Sequence, residues 1–348
     1  MQRWALLITL LVGLAGCAAP APARAPGQAG PAQPAAEPSA AVPRTALQLA
    51  LNTVSASMAP LWVAKDTGIF DQYGFDVEFV TLQSSSQVAK VMASGEMPVA
   101  ISAAAGVVDA VLAGDDQVLI SGFQNYMNFW VYARPEIASV AELRGKKIGT
   151  SRIGSGAHLG VVEMLRRAGL EPDRDAAVLQ LGGMNEILGA LTAGAVDAAI
   201  LSIPFNIHAQ DAGLRLIYDV SAQRIPYLQN GLATTRRYLQ QHEELLRRLM
   251  MAHVEGLARV HKDKATTVES LARYLKSEDY ELMERTYDLI EPLFERVPYP
   301  TAASIQTVID QRAMENPAAR NITPAQVSDE RLLRELEATG FINRVYGS

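Results

Sequence analysis

Residues 47–80 read LQLALNTVSASMAPLWVAKDTGIFDQYGFDVEFV, and this stretch holds one complete strand–helix–strand step. LQLAL at 47–51 reads as a first strand. Val54-Ser55-Ala56-Ser57-Met58 is a small, polar turn. Pro60 suits the first helical position, where a missing N–H costs nothing. Leu61, Val63 and Ala64 then lead to Gly68, placed as a helix C′ residue. Gly74-Phe75 opens a second strand over 76–80.

The rhythm continues on both sides of Ser102. Val88, Val91 and Met92 make a helical stripe, Gly95 stops it, and 99–101 reads as a third strand. It returns with a strand at 146–150, a helix at 157–167 closed by Gly169, a strand at 178–181, a helix capped by Asn185, and a strand at 198–201. Alternating strands and helices predict parallel α/β sheets. There is also an internal echo: helix, glycine stop, acidic residue, apolar strand and serine recur as 88–102 and 187–202. Two α/β lobes of one plan account for it. From Tyr238 onward the pattern turns helical.

The N-terminus reads differently. Arg3 precedes an apolar run over 4–14, which ends in Leu14-Ala15-Gly16-Cys17. That pattern is a signal peptide over 1–16, and its ending resembles the lipobox of bacterial lipoproteins. The resemblance implies acylation of Cys17, the single cysteine, and cleavage before it. The following segment to residue 45 is rich in Ala, Pro, Gly and Gln. Such a tether buries too little apolar surface to order itself. At about 3.1 Å per residue it spans up to roughly 85 Å.

Charged residues make up 20% and apolar ones 49%, a globular balance, and the net charge is −6. A mildly acidic chain without a Lys/Arg run argues against nucleic acid as a partner. One cysteine allows no internal disulfide and no cysteine cluster for zinc.

Three stretches carry a family resemblance: 59–78 with Ala59-Pro60-Leu61-Trp62-Val63-Ala64, Gly68-Ile69-Phe70 and Tyr73-Gly74-Phe75-Asp76-Val77-Glu78; 141–149, AELRGKKIG; and 194–201, GAVDAAIL. In order and spacing they resemble the nitrate/sulfonate/taurine-type substrate-binding proteins of ABC importers, over about residues 46–235. The resemblance implies a two-lobed, type II periplasmic-binding-protein-like fold with ligand held between the lobes. It implies two crossings, near 129–133 and 230–234. Lobe one is then 46–132 plus 232–348, with the C-terminal helices on it, and lobe two is 133–231.

Ligands of open α/β sheets sit beyond the carboxyl ends of the strands. That rule selects Ser55, Ser57, Ser84, Ser85, Ser102, Gln124, Asn125, Arg152, Ser155, Gly156, Asn185, Ser202 and Phe205, and Tyr227 joins them as an aromatic near the expected cleft, since aromatics often line such pockets. Within 151–156, SRIGSG, the glycines let backbone N–H groups approach a ligand, and the helix that follows favours an anion. The same glycines equally serve a plain strand-to-helix turn, and Arg152 equally reads as solvated. Ser84, Ser85 and Asn185 also read as helix caps. Trp62 and Trp130 read as core.

Catalytic signals are poor. The five histidines form no His-Glu-x-x-His pair, and no Gly-x-Ser-x-Gly elbow occurs. Some relatives of the family act on pyrimidine precursors, but their cysteine-rich signature is missing here. The expectation is a lipid-anchored, monomeric, extracytoplasmic solute-binding protein. It takes a small molecule, without cofactor or metal, and hands it to ABC permease subunits. A secreted enzyme on the same scaffold and a sensor subunit for a membrane receptor stay open as alternatives.

Overall fold

The structure, a computed structural model, describes residues 44–51, 54–82 and 85–347. The signal peptide, Cys17, nearly all of the tether and Ser84 lie outside the described residues, as does the side chain of Ser85. In chain order the strands are β1 (Thr45–Leu51), β2 (Phe75–Thr81), β3 (Val99–Ala103), β4 (Gln117–Gly122), β5 (Trp130–Ala133), β6 (Lys147–Thr150), β7 (Ala177–Gln180), β8 (Ala198–Leu201), β9 (Arg215–Asp219) and β10 (Asn230–Thr235). They form two five-stranded sheets, ordered β2-β1-β3-β10-β4 and β7-β6-β8-β5-β9.

The two sheets share one plan. In each, three neighbouring strands run parallel, a fourth runs antiparallel to them, and a fifth pairs antiparallel to the fourth. The antiparallel strand is in both cases the first to enter after the chain changes sheets. β3 and β8 hold the same place, and the helices before them stop at Gly95 and Gly194, with φ +78 and +73. The internal sequence echo is therefore two copies of one topology. β3 and β8 are buried runs (VAISA and AAIL), as strands covered on both faces must be.

Helices cover both sheets. Ala59–Asp66 and Ala104–Leu112 pack on the first, Gly156–Arg167 and Met184–Thr192 on the second. The long C-terminal helix Glu243–Lys262 buries Leu246, Leu249, Met250 and Leu257 against the same core as Leu49, Ile101 and Trp62. Gly256 makes the closest approach: a Cβ there would stand 2.2 Å from Pro60 O. Helix Ala302–Glu315 joins the core that contains Val107 and Val108, and Arg312 ties it to Asp109 at 2.9 Å.

The chain leaves the first sheet after Gly122 and enters the second at Trp130; it leaves after Asp219 and returns at Asn230. The crossings therefore occupy 123–129 and 220–229, while the boundaries read in sequence fall inside β5 and β10. One helix start also differs from its reading. Gly183, not Asn185, occupies the N-cap of Met184–Thr192, and Asn185 lies in the first turn. Glycine is tolerated at that position, and Glu186 folds back so closely that a Cβ at 183 would meet its Oε2 at 2.5 Å.

Candidate ligand-binding cleft

The two crossing segments lie side by side. Tyr126 and Pro226 form an antiparallel bridge, Met127 N–H donates to Ile225 O at 3.0 Å, and Tyr227 N–H donates to Asn125 O at 2.8 Å. Arg224, with φ 45, stacks its guanidinium 3.9 Å from the centre of the Tyr126 ring. Beside them the loops after β1, β4 and β8 converge with the residues before β10.

A small inner cavity of about 50 Å³ opens there. Its polar lining is Ser55 and Ser57 from the β1 loop, Gln124 and Asn128 from the first crossing, Ser202 after β8, and Gln229 and Asn230 at the return. Every one of these side chains is uncharged. Ser55 caps the single turn Ala56–Met58, which runs straight into helix Ala59–Asp66. Its Oγ accepts from Ser57 N–H at 3.4 Å and lies 3.2 Å from Ser57 Oγ. Asn128 Nδ2 donates to Gln124 Oε1 at 2.7 Å. Gln124 Nε2 is buried and has no hydrogen-bond partner among the described residues.

A larger cavity of about 600 Å³ continues outward, sharing Ser55, Ala56, Ser202, Ile203, Gln229 and Asn230 with the inner one. Its further walls are mostly apolar: Met184, Pro204 and Phe205 from the second half, Leu275, Leu282 and Met283 from the C-terminal helices, with His208 and Ser277 among them. Near this wall Arg285 Nη1 donates to Asp211 Oδ2 at 2.9 Å, joining helix Tyr280–Ile290 to helix Phe205–Asp211. The hydrogen bond from Arg285 holds the Asp211 carboxyl below its usual range.

Of the sequence candidates, Ser55, Ser57, Gln124, Ser202 and Phe205 line these cavities. Ser102, Asn125, Arg152, Ser155, Gly156, Asn185 and Tyr227 do not, and several have structural work instead. Ser102 is buried within β3, its hydroxyl 3.4 Å from Ala103 O. Asn125 staples the first crossing to the C-terminal segment: Nδ2 donates to Tyr299 O at 2.7 Å, and Oδ1 accepts from Ser304 Oγ at 2.8 Å. Tyr227 is buried, donates to Gln311 Oε1 at 2.9 Å, and burial pushes its phenol up to about 12.

Gly156 lies under the Tyr227 ring, where a Cβ would stand 2.9 Å from ring carbon Cε1. Ser155 caps helix Gly156–Arg167 and bonds Ser151 Oγ at 2.8 Å. Gln311 Nε2 donates to Gly154 O at 2.6 Å, so the 151–156 loop seats on helix Ala302–Glu315. Arg152 and Asn185 are exposed. Sequence reasoning missed Asn128, Gln229 and Asn230, although a polar Gln-Asn pair just before an apolar strand was a usable signal. It also missed Leu282 and Met283, which look like any amphipathic helix stripe.

The buried His253 places Nε2 3.1 Å from Ser121 Oγ, inside the first core, and lines neither cavity. Among the described residues no group of three or more His, Cys, Asp or Glu is placed to hold a metal ion, and no helix is long and apolar enough to cross a membrane.

Residues 55–266 match the family model described as NMT1/THI5 like. A search of curated proteins found no match. Among solved structures the chain is similar to the periplasmic aliphatic sulphonate binding protein SsuA from Escherichia coli, at 18% identity and a TM-score of 0.66, covering 81% of this chain and 96% of that one. It is similar to the periplasmic nitrate-binding protein NrtA from Synechocystis PCC 6803, at 14% identity and a TM-score of 0.65, covering 85% and 89%. The desulfurization enzyme DSZB has the same fold, at 14% identity and a TM-score of 0.65, covering 84% and 99%.

Proposed function

The chain belongs to the NMT1/THI5-like family, and from that premise we propose that it is an extracytoplasmic solute-binding protein of an ABC importer. It captures a small anion, sulfonate or polar heterocycle between its lobes and delivers it to the permease. The observation that carries this reading is the joined pair of cavities at the double crossing, polar inside and apolar outside, walled by both halves of the chain. Convergent polar groups set in an otherwise apolar pocket are the usual build of a small-molecule site. The sulphonate- and nitrate-binding proteins of like fold support it.

In this reading the lobes close about residues 123–129 and 220–229, with ligand in between. Acylation at Cys17 and the tether hold the monomer at the membrane face outside the cytoplasm. Cys17→Ser should then abolish lipid labelling, and a variant that still fractionates with membranes and carries lipid would sink the anchor.

A second reading has one observation behind it: a desulfurization enzyme shares the fold. A thermal-shift screen of small anions, sulfonates and heterocycles, with mass analysis of each hit, separates the two. A solute at a hundredfold excess over its Kd should stabilise the protein by about 2.7 kcal/mol and be recovered unchanged. Recovery of a converted product would favour the enzyme. A screen in which nothing stabilises the chain would count against solute binding.

A further inference from the structure

We infer that Gln124 is the specificity-determining residue of the cleft, and that it selects solutes whose head offers a hydrogen-bond acceptor. This rests on the solute-binding reading above. Gln124 is 6% exposed and lines the inner cavity. Its carboxamide is fixed at one end only: Oε1 accepts from Asn128 Nδ2 at 2.7 Å, which commits the oxygen and leaves the Nε2 donor buried without a partner. Buried polar groups are almost always paired, and each exception calls for an explanation. A solute acceptor is the partner that this amide lacks.

A second observation points the same way. The turn that opens helix Ala59–Asp66 contributes Ser55, Ala56 and Ser57 to the lining. The N-terminus of a helix presents N–H donors and a positive dipole end, which favour acceptor atoms. Among the described residues no cationic or acidic side chain lines the inner cavity, so uncharged polar groups set the preference. The cavity volume of about 50 Å³ restricts the head to a compact group, with the body of the solute in the outer cavity.

Gln124→Glu tests this directly, because it retains the oxygen that Asn128 binds and exchanges the free donor for an acceptor. Gln124→Met removes the donor without adding charge. Full-length wild type and both variants would be incubated with an equimolar library of small carboxylates, sulfonates, tertiary amides and primary ammonium compounds. Native mass spectrometry would identify the retained members, and calorimetry would give their affinities. The expected result is retention of carboxylates, sulfonates or tertiary amides by the wild type, with affinity at least tenfold weaker in both variants. Gln124→Met also removes the oxygen that Asn128 Nδ2 binds, so its melting temperature without solute is measured alongside to show that the variant is folded.

Retention of the ammonium compounds alone, or unchanged affinity in a folded variant, overturns the role of Gln124 while leaving solute binding intact. If a variant fails to fold, the head chemistry of the wild-type hits still decides. Retention of no library member by the wild type overturns this inference, while the thermal-shift screen decides the solute-binding reading separately.

Discussion

His253 shows what burial does to a single residue. It lies within helix Glu243–Lys262, with Nε2 beside Ser121 and Nδ1 without a partner, and burial pushes its pKa down to about 3. In the unfolded chain the same imidazole takes up a proton below about pH 6.5. Unfolding is therefore coupled to proton uptake between those two values. The stability that this group contributes is complete above the unfolded pKa. As pH falls through the window it is lost, by about 1.4 kcal/mol for each pH unit. His253→Gln should flatten the loss of stability between about pH 6 and 4, measured from urea midpoints at several pH values. An equal acid slope in both proteins would mean that His253 is not kept neutral by the fold. At this scale the strand-end rule picks out residues that stand near the cavities, and their hydrogen bonds then set them apart. Ser55, Ser57, Gln124 and Ser202 all follow strands closely and do line the cavities. Asn125 follows the same rule and Tyr227 reads as a cleft aromatic, yet their polar atoms are committed to Tyr299, Ser304 and Gln311. Sequence shows where a side chain stands but not which distant segment has already claimed it.

Among the elements, two glycines inside helices make opposite predictions. At Gly256 a Cβ would stand 2.2 Å from Pro60 O and 2.9 Å from Ala64 Cβ. Gly256→Ala should force helices Glu243–Lys262 and Ala59–Asp66 apart and cost about 1–3 kcal/mol, as overpacking does. Gly189 sits in Met184–Thr192 with no atom within 4 Å of its Cβ position. Gly189→Ala should stabilise by about 0.5–1 kcal/mol through helix propensity alone. Denaturant titrations of the two variants check both signs, and a stabilised Gly256→Ala would refute the close helix crossing. The same contrast explains what was legible. The strand–helix alternation and the glycine stops are local, so the parallel strands could be read along the chain. The antiparallel β5 and β10 take their places only through partners far away in sequence. Leu282 and Met283 are 9% and 1% exposed, and nothing local distinguishes a stripe facing a core from one that walls a cavity.

For the whole molecule, two of the polar contacts that join the halves on either side of the crossings differ in kind. Gln311 is buried: its Nε2 holds Gly154 O at 2.6 Å and its Oε1 accepts from Tyr227 at 2.9 Å. Arg285 and Asp211 form an ion pair at 2.8 Å with side chains 35% and 51% exposed. If the lobes hinge on 123–129 and 220–229, both contacts favour the closed form and neither is needed to fold either half. Gln311→Ala removes two hydrogen bonds, worth together about 1–3 kcal/mol net. That shifts the closed-to-open ratio roughly five- to 150-fold. Its radius of gyration in solution scattering should rise, and affinity for any cleft solute should fall in step. Arg285→Gln should open the molecule less, because an exposed pair is already weakened by solvent. Added salt should open the wild type in the same direction and leave Arg285→Gln nearly unchanged, since only the ion pair is screened. Scattering curves for the three proteins at low and high salt decide the matter. Identical radii throughout would mean that the two halves move as one body, and solute would then have to enter without hinge opening.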